Sequence, residues 1–180
     1  MTSTIPTIGR PERGEYAPFY ETYISKVQGS DILATLDDQR RQMLLLLSGR
    51  TESDGDIRYA PGKWSVKEVL GHVCDGERVL SYRALCIARS DSTALPGYDE
   101  NAYVANAPFS RHPLSRLIED FIAVRRATLS LFRNFDEEAW TRRGKANNYE
   151  VTVRAIAYII AGHELHHRLA LQEKYLKGIV

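Results

Sequence analysis

The segment Gly162-His163-Glu164-Leu165-His166-His167 places three of the chain's five histidines within one and a half helical turns. Imidazoles at positions i and i+4 of a helix stack one turn apart and can grip a single metal ion. The same residues also spell H-E-x-x-H. In that motif the histidines hold zinc and the glutamate is the general base of a metallopeptidase. With about 100° of rotation per residue and His163 at zero, His167 falls near about 40°, among Ile156, Ile159, Ile160 and Ala170. Both rings therefore sit in the middle of an apolar stripe, while His166 lies at its margin beside Glu173. Two buried imidazoles without partners are costly, and a shared ion removes that cost. The alternative is a pair of core histidines hydrogen-bonded to their neighbours.

The peptidase reading needs a third ligand, commonly on a later helix or in an extended motif. The residues after His167 contain no histidine and no G-x-x-H continuation, and no β-rich segment precedes the motif. A third ligand must then come from upstream. His112 precedes Pro113 at a loop–helix junction, where a surface position or cap is the ordinary role. His72 interrupts an apolar face carrying Val69, Gly76, Val79 and Ile87, which makes it the better third ligand. A site of His72, His163 and His167 on a divalent ion leaves positions for water or substrate, as catalytic sites do. Such an ion lowers the pKa of bound water or thiol. Imidazole suits zinc, nickel, copper and iron, with zinc and nickel put first here. Asp75, three residues after His72, is a candidate fourth ligand, ligand-orienting group or general base; an ion pair with Arg78 or Arg83 is its alternative role. Gly76 leaves space one turn beyond His72. Arg83, on the same face, is a candidate for binding an anionic group of a substrate or cofactor, against a simple salt bridge.

The elements that must position these residues read as helices. Residues 1–15 are rich in Pro, Gly and charge and are expected to form an extended arm, with a short helix near Pro18–Val27. Asp31–Ser48 has a helical apolar stripe through Ile32, Leu36 and Leu44–Leu47. Pro61-Gly62 ends a break over residues 49–63. Ser65 with Glu68 forms a capping box that starts a long helix to Ser90. Residues 91–112 are expected to be a long loop containing LPGYDENAYV, from which Tyr98, Asp99 or Glu100 can reach a pocket, turn-forming surface positions being the ordinary role of each. Pro113 suits the first position of a third helix to about Phe135, and Val151–Leu176 makes the fourth. Strand patterns are few and no internal repeat is visible. Four amphipathic helices of similar length predict an all-α, four-helix bundle.

The 180 residues suffice for one domain with a sizeable core. A net charge of +1 gives no broad electrostatic reason to bind nucleic acid or an anionic membrane. No apolar run approaches the roughly 18 residues of a membrane span, and the N-terminus lacks the apolar segment of a secretory signal, so a cytoplasmic location is expected. Cys74 and Cys86 lie roughly 18 Å apart if they share a helix, too far for a disulfide.

Trp64-Ser65-Val66-Lys67-Glu68 leading to His72, then His163-x-x-x-His167-Arg168, resembles the DinB-like metalloenzyme superfamily. The stretches RYAPGKWSVKEVLGHVCDGERV, LPGYDENAYV and VRAIAYIIAGHELHH carry the likeness over most of the chain. The resemblance implies a single DinB-like domain over residues 1–180 and a divalent metal on His72, His163 and His167. It also implies a small-molecule substrate, and a homodimer as in many members. Members include S-transferases and isomerases that use a low-molecular-weight thiol, bacillithiol or mycothiol, and metal-dependent hydrolases of unknown substrate. The expected function is therefore a metal-dependent transferase or hydrolase that activates a thiol or water. The alternatives are a non-catalytic, metal-stabilised binding or dimerisation module and, last, a metallopeptidase.

Overall fold

The structure, a computed structural model, describes residues 8–177. The chain enters through short 3-10 turns, Arg13–Glu15 and Pro18–Tyr20, and a one-turn helix α1 (Glu21–Ile24). Residues 1–7 of the expected arm lie outside the described residues. The rest of it is pinned to the body. Arg10 donates to the Val27 and Ile24 carbonyls at 2.7 and 2.5 Å, and buried Glu15 accepts from Arg154 Nε and Thr152 Oγ1, each at 2.7 Å.

Helix α2 (Ile32–Leu47) starts at Asp31, whose carboxylate accepts from Ala34 N at 2.9 Å. Only Leu47 of the Leu44–Leu47 run is buried; Leu45 faces outward. A short helix α3 (Glu52–Gly55) occupies the expected break. Helix α4 (Val66–Ala88) begins at the predicted capping box, Glu68 accepting from Ser65 N at 2.7 Å and Ser65 Oγ from Glu68 N at 3.2 Å. The expected long loop contains helix α5 (Glu100–Asn106) and a 3-10 turn, Phe109–Arg111. These are too short to show an amphipathic period, which is why pattern reading misses them. Helix α6 (Leu114–Arg133) follows, with Pro113 one position outside it as the cap. Glu52 of α3 accepts from the Leu114 amide at 2.9 Å, so one short helix caps the start of a long one.

Helix α7 (Glu137–Thr141) leads into a hairpin of β1 (Arg143–Ala146) and β2 (Tyr149–Thr152), paired antiparallel with Ala146 opposite Tyr149. The turn residues Asn147 and Asn148 have φ of 49° and 66°, the left-handed pair that a two-residue hairpin needs and asparagine tolerates. The hairpin takes residues expected to begin the fourth helix, so α8 (Val153–Ala170) starts at Val153, capped by Thr152, and ends in a π-type turn Leu171–Tyr175.

Helices α2 and α4 each pack against both α6 and α8, so the consecutive helices α2 and α4 stand diagonally across the bundle. The core divides into two apolar clusters. One holds Ile32, Leu36, Leu80, Ile87, Phe132 and Ile156, the other Met43, Leu70, Val73, Leu117, Phe121 and Leu171. Between them every long helix turns polar at one level: Gln39 on α2, Glu77 on α4, Arg125 on α6 and Glu164 on α8, all buried. Arg125, 0 % exposed, donates to Glu77 Oε1 and Oε2 at 2.8–3.1 Å and to the Leu36 carbonyl at 2.8 Å. Gln39 donates to the Ala161 carbonyl at 2.9 Å. Glu164 accepts from Arg168 Nε at 3.1 Å through one oxygen and leaves the other without a partner.

Burial raises the Glu164 carboxyl to about 7, against the pull of Arg125 and Arg168. Its folded value thus lies above the unfolded one of 4.5, so its stability contribution is full below about pH 4.5 and is lost as pH rises through about 7. Chemical denaturation across pH should therefore show the parent losing about 2.5 kcal/mol relative to Glu164→Gln between pH 5 and pH 8. Parallel pH profiles for the two proteins would contradict this.

Candidate metal centre

His72 comes from α4, and His163 and His167 from adjacent turns of α8. One ring nitrogen of each lies within 4.8 Å of the other two. The Nε2 atoms of His72 and His163 face each other at 2.9 Å, close enough to share a proton or an ion. His167 turns the pair into a three-donor cluster, its ring edge-on to His72 and His163 with centroids 4.8 and 4.6 Å away. Aromatic neighbours hold the rings: Trp64 packs on His72 at 4.8 Å and Tyr23 meets His163 edge-on at 5.5 Å.

Burial holds the His72 pKa at about 4 and the His167 pKa at about 3, and keeps His163 well below its ordinary value. All three rings are neutral at pH 7, the form in which imidazole binds metal. The donor set therefore fits a divalent ion that prefers nitrogen ligands.

The other sequence candidates divide. His166 is exposed, lies edge-on to Tyr23 and lines an adjoining pocket with Tyr59, Lys63 and Lys174 that shares Trp64 and His167 with the histidine cavity; it is outside the three-donor cluster. His112 stands at the cap after the Phe109–Arg111 turn. Asp75 pairs with Arg78 at 3.4 Å, while Arg78 also reaches Asp120 at 2.5 Å; Asp75 does not line the histidine cavity. Burial raises its pKa, with Arg78 opposing. Arg83 is buried and does line the cavity. Glu164, the glutamate of the H-E-x-x-H match, points into the polar layer of the core and pairs with Arg168. It does not line the cavity, so the match has no general base at the site. Cys74 is equally remote: burial pushes its thiol pKa far up and leaves it inert.

The histidines form the floor of a cavity of about 330 Å³. Its walls include Tyr20 and Tyr23 from the entry segment, Trp64 from the α4 lead-in, Tyr98 and Glu100 from the former loop region, and Asn147 from the hairpin turn. Of the expected loop residues, Tyr98 and Glu100 reach it; Asp99 instead caps α5, accepting from Asn101 N and Ala102 N at 2.9 and 3.1 Å. Leu95 docks this segment on the hairpin, its amide donating to the Lys145 carbonyl and its carbonyl accepting from Asn147 N, both at 2.9 Å. Sequence reading missed Asn147; the Asn147-Asn148 pair, asparagine being tolerant of the left-handed turn, was the available signal.

A family model described as the DinB superfamily matches residues 35–171. The chain belongs to the DinB superfamily. No curated protein matches the sequence. Among solved structures, this DinB protein is similar to YfiT from Bacillus subtilis, a probable metal-dependent hydrolase with an unusual four-helix bundle topology. The TM-score is 0.70 at 18% identity, covering 92% of this chain and 93% of that one. It is also similar to a mycothiol-dependent maleylpyruvate isomerase, with a TM-score of 0.66 at 13% identity, over 81% of this chain and 61% of the other. The expected all-α DinB-like bundle is thus the fold observed, with the α2–α4 diagonal and the hairpin added to it. No helix among the described residues is long and apolar enough to cross a membrane.

Two glycines of this DinB bundle set the approach of its parts. A Cβ on Gly76 would lie 3.1 Å from His163 Cε1 and 3.3 Å from the Tyr98 hydroxyl. A Cβ on Gly162 would lie 2.3 Å from the Tyr23 backbone carbonyl oxygen. Gly162→Ala should therefore force α1 off α8 and cost about 1–3 kcal/mol in a thermal melt. Gly76→Ala gains up to about 1 kcal/mol of helix propensity. It should keep the fold while weakening metal uptake about tenfold, because His163 must turn aside. Unchanged metal titration in Gly76→Ala would refute the crowding argument.

Proposed function

We propose that this protein is a metal-dependent enzyme whose three-histidine centre, His72, His163 and His167, activates a thiol or a water to attack a small electrophilic molecule. Thiol transfer is the reading we favour, because one of the similar structures is a mycothiol-dependent enzyme. The observation that carries the proposal is the convergence of three neutral imidazoles at the floor of a cavity. A divalent ion such as zinc or nickel bound there supplies Lewis acidity, bringing the pKa of a nearby thiol or water toward neutrality.

The chain's own residues do the rest. Neutral ligands contribute no negative charge, so the centre favours an anionic nucleophile. The rings of Trp64 and Tyr23 cover the sides of His72 and His163 and fix their orientation. Half-buried His163 and His167 face the cavity, leaving an approach for substrate. The aromatic walls exclude bulk water and strengthen electrostatic interactions at the centre. The small volume of the cavity, about 330 Å³, suits a small molecule and not a peptide chain laid across the surface.

Metal analysis of the purified protein tests the centre. His72→Ala and His163→Ala should each weaken metal binding by more than the about 10–100-fold expected for loss of an outer-shell partner. His166→Ala should leave binding unchanged. Retention of metal by His72→Ala, with loss in His166→Ala, would overturn the ligand assignment. The metal-loaded protein should conjugate a low-molecular-weight thiol to an electrophile such as monochlorobimane. Full metal occupancy without turnover on any thiol or ester would favour a non-catalytic, metal-stabilised module instead.

A further inference from the structure

Among the described residues, the buried cation Arg83 forms no ion pair. Among the described residues, buried Lys67 pairs with Glu52 and Asp56, each at 3.0 Å, and buried Arg125 pairs with Glu77 at 2.8 Å. Arg83 is as deeply placed, at 4 % exposed, yet none of the ion pairs found among the described residues includes it. Its Nη2 donates to the Pro96 carbonyl at 2.6 Å, and its guanidinium stands 6.0 Å from the Tyr98 ring centroid. Arg83 lines the histidine cavity. Buried charges are ordinarily paired, because removal from water is costly. A cation left unpaired where it faces a cavity has its partner supplied by what the cavity binds.

The placement gives the cavity two chemically different ends. His72 and Arg83 lie on one helix, roughly 16 Å apart along its axis. The long arginine side chain leans back toward the helix N-terminus, and so toward His72. Leu80 of α4 precedes Arg83 by about one turn and Ile159 of α8 precedes His163 by about one turn. With Tyr98, and with Tyr20 hydrogen-bonded to Arg83, they line the cavity with walls that suit a flat or apolar body. Glu100 also borders the cavity, but it is exposed and makes no ion pair with Arg83.

We propose that this cavity takes a small organic carboxylate, its anionic group on Arg83, its apolar body against the aromatic walls and its other end at the three-histidine centre. The position of the far end rests on the metal-centre reading above; the pairing with Arg83 does not.

Calorimetric titration of the metal-loaded protein tests the arrangement with ω-mercaptocarboxylates, from mercaptopropanoate to mercaptooctanoate, against the matching mercaptoalcohols. The acid should bind at least about tenfold more tightly than the alcohol at the chain length that spans the two ends, since a buried charge pair is made only with the acid. Arg83→Gln should abolish that preference while metal content stays at the parent level. Arg83→Lys should restore part of it, because the charge remains but the planar fork is lost. Glu100→Gln should leave the preference in place. Equal affinities for acid and alcohol at every length would overturn the proposal, as would a preference that survives Arg83→Gln or disappears in Glu100→Gln.

A second arm uses chelated, metal-free protein, with hexanoate and phenylpropanoate against the corresponding alcohols, followed by tryptophan fluorescence through Trp64. A carboxylate preference here that depends on Arg83, without any metal uptake, would retain the anion site and reject the metal centre. Absence of that preference, in a protein that does take up metal, would reject the anion site alone.

Discussion

Arg125 gives its guanidinium to Glu77 on α4 and to the Leu36 carbonyl on α2, at the level where Gln39 ties α2 to α8. Exclusion of water from a charged group forces every donor to find a partner, and only one vertical alignment of the helices supplies them. A buried ion pair is weak evidence for net stability, since apolar packing of the same volume can do as well. Its effect here is on register. A one-turn slip of α6 would leave both Arg125 and Glu77 buried and unpaired. The two apolar clusters above and below supply the driving force for association; the polar layer between them fixes which residues meet.

The histidine cluster depends on that register. His72 lies among the second-cluster residues of α4, shortly before Glu77, and His163 and His167 flank Glu164 on α8. Once Glu77, Arg125 and Glu164 share a level, the imidazoles on the neighbouring faces of α4 and α8 are brought to a common point. One helix thus presents a carboxyl to the core on one side and neutral imidazole nitrogens to a cavity on another. This explains why Glu164 and His163, adjacent in sequence, do unrelated jobs. The approximately 100° between them turns the glutamate into the core and the histidine toward the cavity.

The cavity walls come from segments that belong to no long helix. Tyr20 and Tyr23 arrive with the entry segment, held where Gly162 lets the α1 backbone sit against α8. Tyr98 arrives with a segment strapped to the hairpin through Leu95 and to α4 through Arg83. Phe109 anchors the next turn against Gly71, where a Cβ would stand 2.5 Å from the ring. The frame therefore carries the three imidazoles, and the connections build the cavity walls. That division is common where a rigid scaffold positions variable loops.

Much of this was legible in residue order. The capping box at Ser65 and Glu68 marked the start of α4, the apolar period marked the long helices, and the i, i+4 spacing on an apolar stripe selected His163 and His167 over His166. Those features are local, so the rules of helix geometry reach them directly. His72 as the third member came from its position on an apolar face, which is also a local property. What pattern could not reach was short or non-local. The α5 helix and the β1–β2 hairpin are too brief to show a period, and the hairpin consumed residues whose composition read as helix. The diagonal placement of α2 and α4, the meeting of Arg125 with Glu77 and the absence of an ion pair at Arg83 among the described residues are decided by which faces meet. The sequence specifies each face; only the packing of four such faces around a buried arginine determines which of them is brought opposite another, because that choice depends on satisfying its charge with acceptors 48 and 86–89 positions away.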